Sequence, residues 1–199
     1  ICIFGSLPFF LANLNISFTD SIFESMSGIT TTGSTILSNI KSMPEGILLW
    51  RGLLQWIGGV GIIVMAISIL PVLQVGGMQV FRTESSDTTE KILPRTAQVS
   101  FAVIIIYISL TALCFISYWL SGMRLFESLV HSMTTIATGG FSTRNDSFAS
   151  FNNRSTEYIA ILFMILSSLP ILIYLEVTRN GIKSFFRDTQ IKTFLIIIF

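Results

Sequence analysis

The chain has 199 residues, of which 51% are hydrophobic and 12% charged, and its formal net charge is +1. Soluble domains carry about 25% charged residues, so this composition lacks the polar side chains needed to cover a water-facing globule. With so small a net charge and no basic cluster, nothing points to a nucleic-acid partner. An all-α protein of the lipid bilayer is the class that remains.

In chain order, Ile1 to Ala12 reads as the last half of a spanning helix whose start is missing. It begins without Met and without a basic region, so no signal peptide is expected. Ser21 to Thr32 is amphipathic, rich in Ser and Thr, and too short to cross a bilayer, which takes about 20 apolar residues. Gly52 to Leu73 is a 22-residue uncharged run, long enough to span. Residues 74–95 are polar and read as a cytoplasmic linker. Thr96 to Met123, at 28 residues, is a second spanning run. Residues 126–137 form another short amphipathic segment, and Tyr158 to Leu175 is an 18-residue span. Residues 177–199 read as a linker and, from Thr193, the start of a further helix. The apolar ends lead us to expect a piece of a longer polypeptide. Cys2 and Cys114 lie in apolar stretches and are expected as small hydrophobes rather than a disulfide.

Both short segments sit between spans and end in a Thr/Gly cluster. Ser21 and Glu24 have the spacing of a capping box, which would start the first short helix near Ser21. A helix that enters the bilayer and stops at glycine must return as non-helical backbone. Such backbone is tolerated at that depth only inside protein or beside water. The expected fold is thus a repeated unit of helix, re-entrant pore helix with loop, and helix: residues 1–73, then 96–176. A shift of 107 residues lays Ser25–Gly33 over Ser132–Gly140 with five of nine positions identical, and the hydropathy on both sides also matches. This is an internal duplication, with the C-termini of both short helices converging on one axis. Seven Lys and Arg lie in the two linkers against five on the opposite side. The positive-inside rule therefore places the linkers in the cytoplasm, with residues 38–46 and 144–156 outside.

The loops 30–34 and 137–141 carry the chemistry. A cation crossing a membrane exchanges its water for other oxygens, and inward-turned backbone carbonyls replace that hydration without a full negative charge. Glycine permits the φ > 0 turns this requires, threonine adds hydroxyl oxygens, and the preceding helix aims its negative end at the site. The competing reading, polar caps at helix-packing turns, fits one such loop more easily than two in matching context.

Three stretches carry a resemblance: Phe23 to Thr35, Trp50 to Gly61 and His131 to Thr143. They resemble the Trk/Ktr/HKT potassium transporters, most closely the bacterial Trk membrane subunits, and the likeness runs along essentially the whole chain. It implies potassium uptake through four such repeats around one pore, with one filter glycine per repeat. Here those are Gly33 and Gly140, with Thr31, Thr32, Thr138 and Gly139 lining the K⁺ sites and Thr30 and Ala137 in support. It further implies a bacterial inner-membrane location, a homodimer and a peripheral nucleotide-binding regulatory subunit. Only the first two repeats are expected here. A Na⁺-permeable member of the same superfamily and a non-conducting helical scaffold or truncated remnant are the alternatives.

His131, the only histidine, is either a titratable group near the pore mouth or a brace for the pore helix. Under the shift it falls on Glu24. Arg51 either snorkels to the interface or pairs with Glu24 or Asp20 behind the filter. Gly58, Gly59 and Gly61 lie inside a span and are expected to serve close helix packing. One histidine, two separated cysteines and no intramembrane carboxylate pair supply neither a nucleophile with its base nor a metal cluster. We therefore expect no enzyme and no covalent cofactor.

Overall fold

The structure, a computed structural model, describes residues 1–12, 14–73, 89–170, 173–175, 177, 181, 185 and 188–198. Regular structure among these residues is helical throughout. The chain divides into two compact units, Ile1–Gly61 with Ile108–Ser168, and Ile62–Tyr107 with Leu169–Phe199. Both short helices and both loops belong to the first unit.

Helix α1 (Cys2–Leu11) packs on α2 (Phe18–Ile29). The contact is close because Gly5 has no side chain: a Cβ there would meet the Ser25 hydroxyl. Ser25 donates instead to the carbonyl of Cys2 at 2.9 Å, and the Trp50 indole donates to the carbonyl of Gly5 at 2.9 Å. Phe9, Ile47 and Leu54 form the apolar centre of this packing.

Helix α2 starts three residues earlier than its sequence suggests. Its cap is Ser17, in extended conformation, whose hydroxyl accepts from the Asp20 N–H while the Asp20 carboxylate accepts from the Ser17 N–H. The reciprocal box is therefore Ser17 with Asp20, not Ser21 with Glu24. Ser21 only returns a bond to the carbonyl of Ser17, and Glu24 is engaged elsewhere.

Helix α3 (Glu45–Leu73) follows, and α4 (Thr89–Leu120) runs antecedent to the second short helix, α5 (Leu125–Ile136). At 29 residues α3 rises about 43 Å, enough to cross a bilayer. Within α4, Gln98–Leu120 is long and apolar enough to cross a membrane, with a mean hydropathy of 2.6. Residues 89–95, expected in the linker, are already helical; residues 74–88 lie outside the described residues.

The third expected span, 158–175, is shorter than its apolar run. Helix α6 (Arg154–Ser168) stops before Pro170, because proline disfavours helical backbone at the preceding residue. Helix α7 (Thr189–Ile198) starts four residues before the expected Thr193. In the second unit Ile173 and Ile191 are buried.

Candidate functional site

Each short helix ends in the same way. In α2 the N–H of Thr31 donates to the carbonyl of Gly28 and that of Thr32 to the carbonyl of Ser27, at 2.9 and 3.0 Å. In α5 Thr138 donates to Thr135 and Gly139 to Thr134, at 3.0 and 2.9 Å. This is the Schellman arrangement, whose left-handed residue is usually glycine. Here it is threonine in both copies: Thr31 has φ +54° and Thr138 φ +51°. For a β-branched residue that conformation is an outlier, and it costs about 1–2 kcal/mol. Two residues on, the backbone turns left-handed again, at Gly33 (φ +78°) and Gly140 (φ +82°). The two loops repeat this alternation position for position. Strained residues of this kind collect at ligand clamps.

Among the described residues no donor reaches the carbonyls of Thr31, Thr32, Gly33, Thr138 or Gly140. Thr32, Thr138 and Gly140 are exposed, and Thr31 and Gly33 half-buried. Thr30 and Ala137 are the C-caps of their helices; the Thr30 hydroxyl donates to the carbonyl of Met26 and shares a 2.8 Å bond with that of Thr32.

Gly139 is placed differently from its expected companions. It is buried, and its carbonyl accepts a 2.8 Å bond from Nε2 of Gln55 on α3, while Oε1 of Gln55 accepts from the N–H of Phe141 at 3.1 Å. A Cβ at Gly139 would fall on that carboxamide. A Cβ at Gly33 would fall on the carbonyl oxygen of Gly139, so the two loops meet here.

Behind the loops, each short helix holds the chain beyond its loop by a side chain set eleven residues upstream. In the first repeat Glu24 accepts from the Thr35 hydroxyl at 2.9 Å and from the N–H of Ile36 at 3.3 Å. In the second, His131 occupies the matching position and contacts the Ser142 hydroxyl through Nε2 at 3.0 Å. Its Nδ1 lies 2.8 Å from the carbonyl of Glu127, which can only accept, so Nδ1 carries the proton. Nε2 is then free to accept from Ser142, and a neutral, fully buried ring satisfies both contacts. His131 is a brace. Phe148 and Phe151 pack edge-on against it.

Arg51 does not snorkel. It is 1% exposed, and its Nε donates to Glu24 at 2.8 Å. One terminal nitrogen donates to the Thr35 hydroxyl at 3.1 Å and the other to the carbonyl of Ser142 at 3.2 Å. The guanidinium lies 4.1 Å over the ring of Phe141. A single side chain thus grips both post-filter segments. Asp20, the other partner considered, is occupied as a cap. Four residues on, Gln55 shares the Arg51 face of α3. A second pair, Arg144 with Glu127 at 2.8 Å, ties the segment after the second loop to α5. Between the repeats, the N–H of Ile40 donates to Asn145 at 2.8 Å.

Thr35, Ser142, Gln55 and Ser27, whose hydroxyl donates to the carbonyl of Ser34 at 2.6 Å, were not singled out from sequence. The 107-residue shift does align Thr35 with Ser142, a signal available in the repeat. Of the three packing glycines, the structure supports Gly58 directly: a Cβ there would strike the carbonyl of Ile29.

Residues 4–198 match the TrkH family model, described as a cation transport protein. A Trk system potassium uptake protein, TrkI, of Halomonas elongata is 43% identical over 98% of this chain and 40% of that protein. TrkH of Vibrio parahaemolyticus is 41% identical over 97% of this chain and 41% of its own length. The crystal structure of the potassium transporter TrkH from Vibrio parahaemolyticus superposes with a TM-score of 0.85 at 38% identity, covering 98% of this chain and 40% of that one. The chain thus spans about 40% of the length of these relatives.

Proposed function

Because the chain belongs to the TrkH family of cation transport proteins, with the helical fold of a membrane transporter, we propose that it supplies two of the repeats lining a potassium-uptake pore. The observation that carries this reading is the twofold alternation of left-handed Thr and Gly, at 31/33 and 138/140. It leaves the carbonyls of Thr31, Thr32, Gly33, Thr138 and Gly140 without a protein donor among the described residues and so available to an ion. Backbone carbonyl dipoles replace a cation's hydration shell without a full negative charge. Gly33 and Gly140 are the selectivity positions, and the hydroxyls of Thr31, Thr32 and Thr138 stand beside them. Gly139 contributes through its lack of a side chain rather than through its carbonyl.

The two remaining repeats, the homodimer, the cytoplasmic nucleotide-binding subunit and the inner-membrane location belong to the same proposal, and rest on the family. The bond from Ile40 to Asn145 holds the two post-filter segments together, in keeping with both lying on the outer face. Expression of the longest polypeptide containing this chain, in cells lacking potassium uptake, tests the function. Growth at low K⁺ and Rb⁺ uptake exceeding Na⁺ uptake are expected. A polypeptide that reaches the membrane yet carries neither ion would leave the scaffold reading standing, and equal Rb⁺ and Na⁺ uptake would favour a Na⁺-permeable transporter.

A further inference from the structure

Gln55 makes two opposed hydrogen bonds to one filter loop, donating to the carbonyl of Gly139 and accepting from the N–H of Phe141. The pair admits only one sense of the amide. A flipped carboxamide would set oxygen against oxygen and N–H against N–H. The side chain is fully buried, so water does not compete for either bond.

The clamp falls on only one repeat. The position matching Gly139 in the first repeat is Thr32, whose carbonyl has no donor among the described residues. The first loop is tied two residues further on, through Ser27 to the carbonyl of Ser34, the position that matches Phe141. On α6 the positions matching Arg51 and Gln55 are Tyr158 and Leu162, so the duplication does not carry the clamp onward. The pinned carbonyl of Gly139 is also the atom against which Gly33 packs. Gln55 thus bonds the carbonyl at which the two loops meet.

We propose that Gln55 is a positioning residue for ion selectivity. It withholds the Gly139 carbonyl from the ion, so at the level of Thr32 and Gly139 the two repeats offer unequal numbers of carbonyl ligands. A carbonyl released from Gln55 would be free to swing onto the ion path and to close around a smaller cation. Selectivity depends on the number and field strength of such dipoles, so its release should admit Na⁺. The inference rests on the pore reading above.

The test uses the longest polypeptide containing this chain, in potassium-uptake-deficient cells, with Rb⁺ and Na⁺ fluxes measured for wild type, Gln55→Met and Gln55→Glu. Gln55→Met removes both bonds at similar volume. Gln55→Glu keeps an acceptor for Phe141 but, when ionised, replaces the donor to Gly139 by a negative charge, and it serves as a comparison in which the loop faces a carboxylate. Loss of one such bond corresponds to about a tenfold fall in the Rb⁺/Na⁺ ratio, with Rb⁺ flux retained. Because the ratio does not depend on expression level, a variant that folds in low yield is still readable. An unchanged Rb⁺/Na⁺ ratio in Gln55→Met, whether or not both fluxes fall, would overturn the positioning role. Absence of Rb⁺ preference in the wild type would instead bring down the pore reading and this inference with it.

Discussion

The carbonyl oxygen of Gly139 occupies the space that a side chain on Gly33 would need. Gly140, by contrast, is left-handed but has open space where its Cβ would be built. The two loop glycines are therefore required for different reasons. Gly140→Ala should cost about 1–2 kcal/mol, the ordinary penalty of left-handed backbone. Gly33→Ala should cost more, because a backbone atom of the other loop must move as well. Thermal unfolding of both variants in detergent checks the order. If Gly140→Ala proved the more harmful, the contact between the loops would be wrong.

The buried pair of Arg51 and Glu24 yields a second expectation. Removing one partner leaves the other charged and buried, which costs about 3–5 kcal/mol. Arg51→Met should therefore destabilise strongly, and adding Glu24→Gln should recover part of the loss. Arg51→Lys should not rescue, since a point charge cannot reach Glu24, Thr35 and Ser142 together. Melting temperatures of the three variants decide this. Equal stability of Arg51→Met with and without Glu24→Gln would show that the pair is not coupled.

Thr31 and Thr138 predict a conflict between stability and function. Replacing either by Gly relieves left-handed strain and should stabilise the fold by about 1 kcal/mol. It also deletes a hydroxyl beside the proposed ion site and loosens the loop. Higher melting temperature with lower Rb⁺/Na⁺ discrimination is the expected signature. A glycine variant both less stable and equally selective would contradict the strain argument.

The true cap of α2 can be separated from the apparent one. Ser17→Ala removes the bond to the Asp20 N–H and should cost about 1 kcal/mol. Ser21→Ala loses only a bond back to the carbonyl of Ser17 and should cost less. Chemical denaturation of the two variants distinguishes them, with the reverse order restoring the cap that sequence spacing suggests.

Much of the fold was legible in the chain. The Thr/Gly clusters, their 107-residue spacing and the length of the apolar runs located both short helices to within three residues at either end. The misplaced start of α2 has a definite cause. Ser17 with Asp20 and Ser21 with Glu24 both carry cap spacing, four residues apart, and local pattern does not separate them. Glu24 is unavailable as a cap because Arg51, 27 residues later, has taken its carboxylate. Pro170 was visible in the third apolar run, but hydropathy counts its residues without regard to its backbone.

The chain's own pattern determined that two loops would form and that Gly33 and Gly140 would take left-handed backbone, because helix ends and glycine turns are local events, whereas the left-handed Thr31 and Thr138 were seen only in the structure. Which loop carbonyls are left without a protein donor among the described residues was decided by the tertiary structure. Gln55 reaches Gly139 across 84 residues and Arg51 reaches Ser142 across 91, and no local periodicity encodes a hydrogen bond between side chain and backbone at such separation. Thr32 and Gly139 hold matching places in the repeat, yet only the packing of α3 against the second loop turns one carbonyl away and leaves the other free.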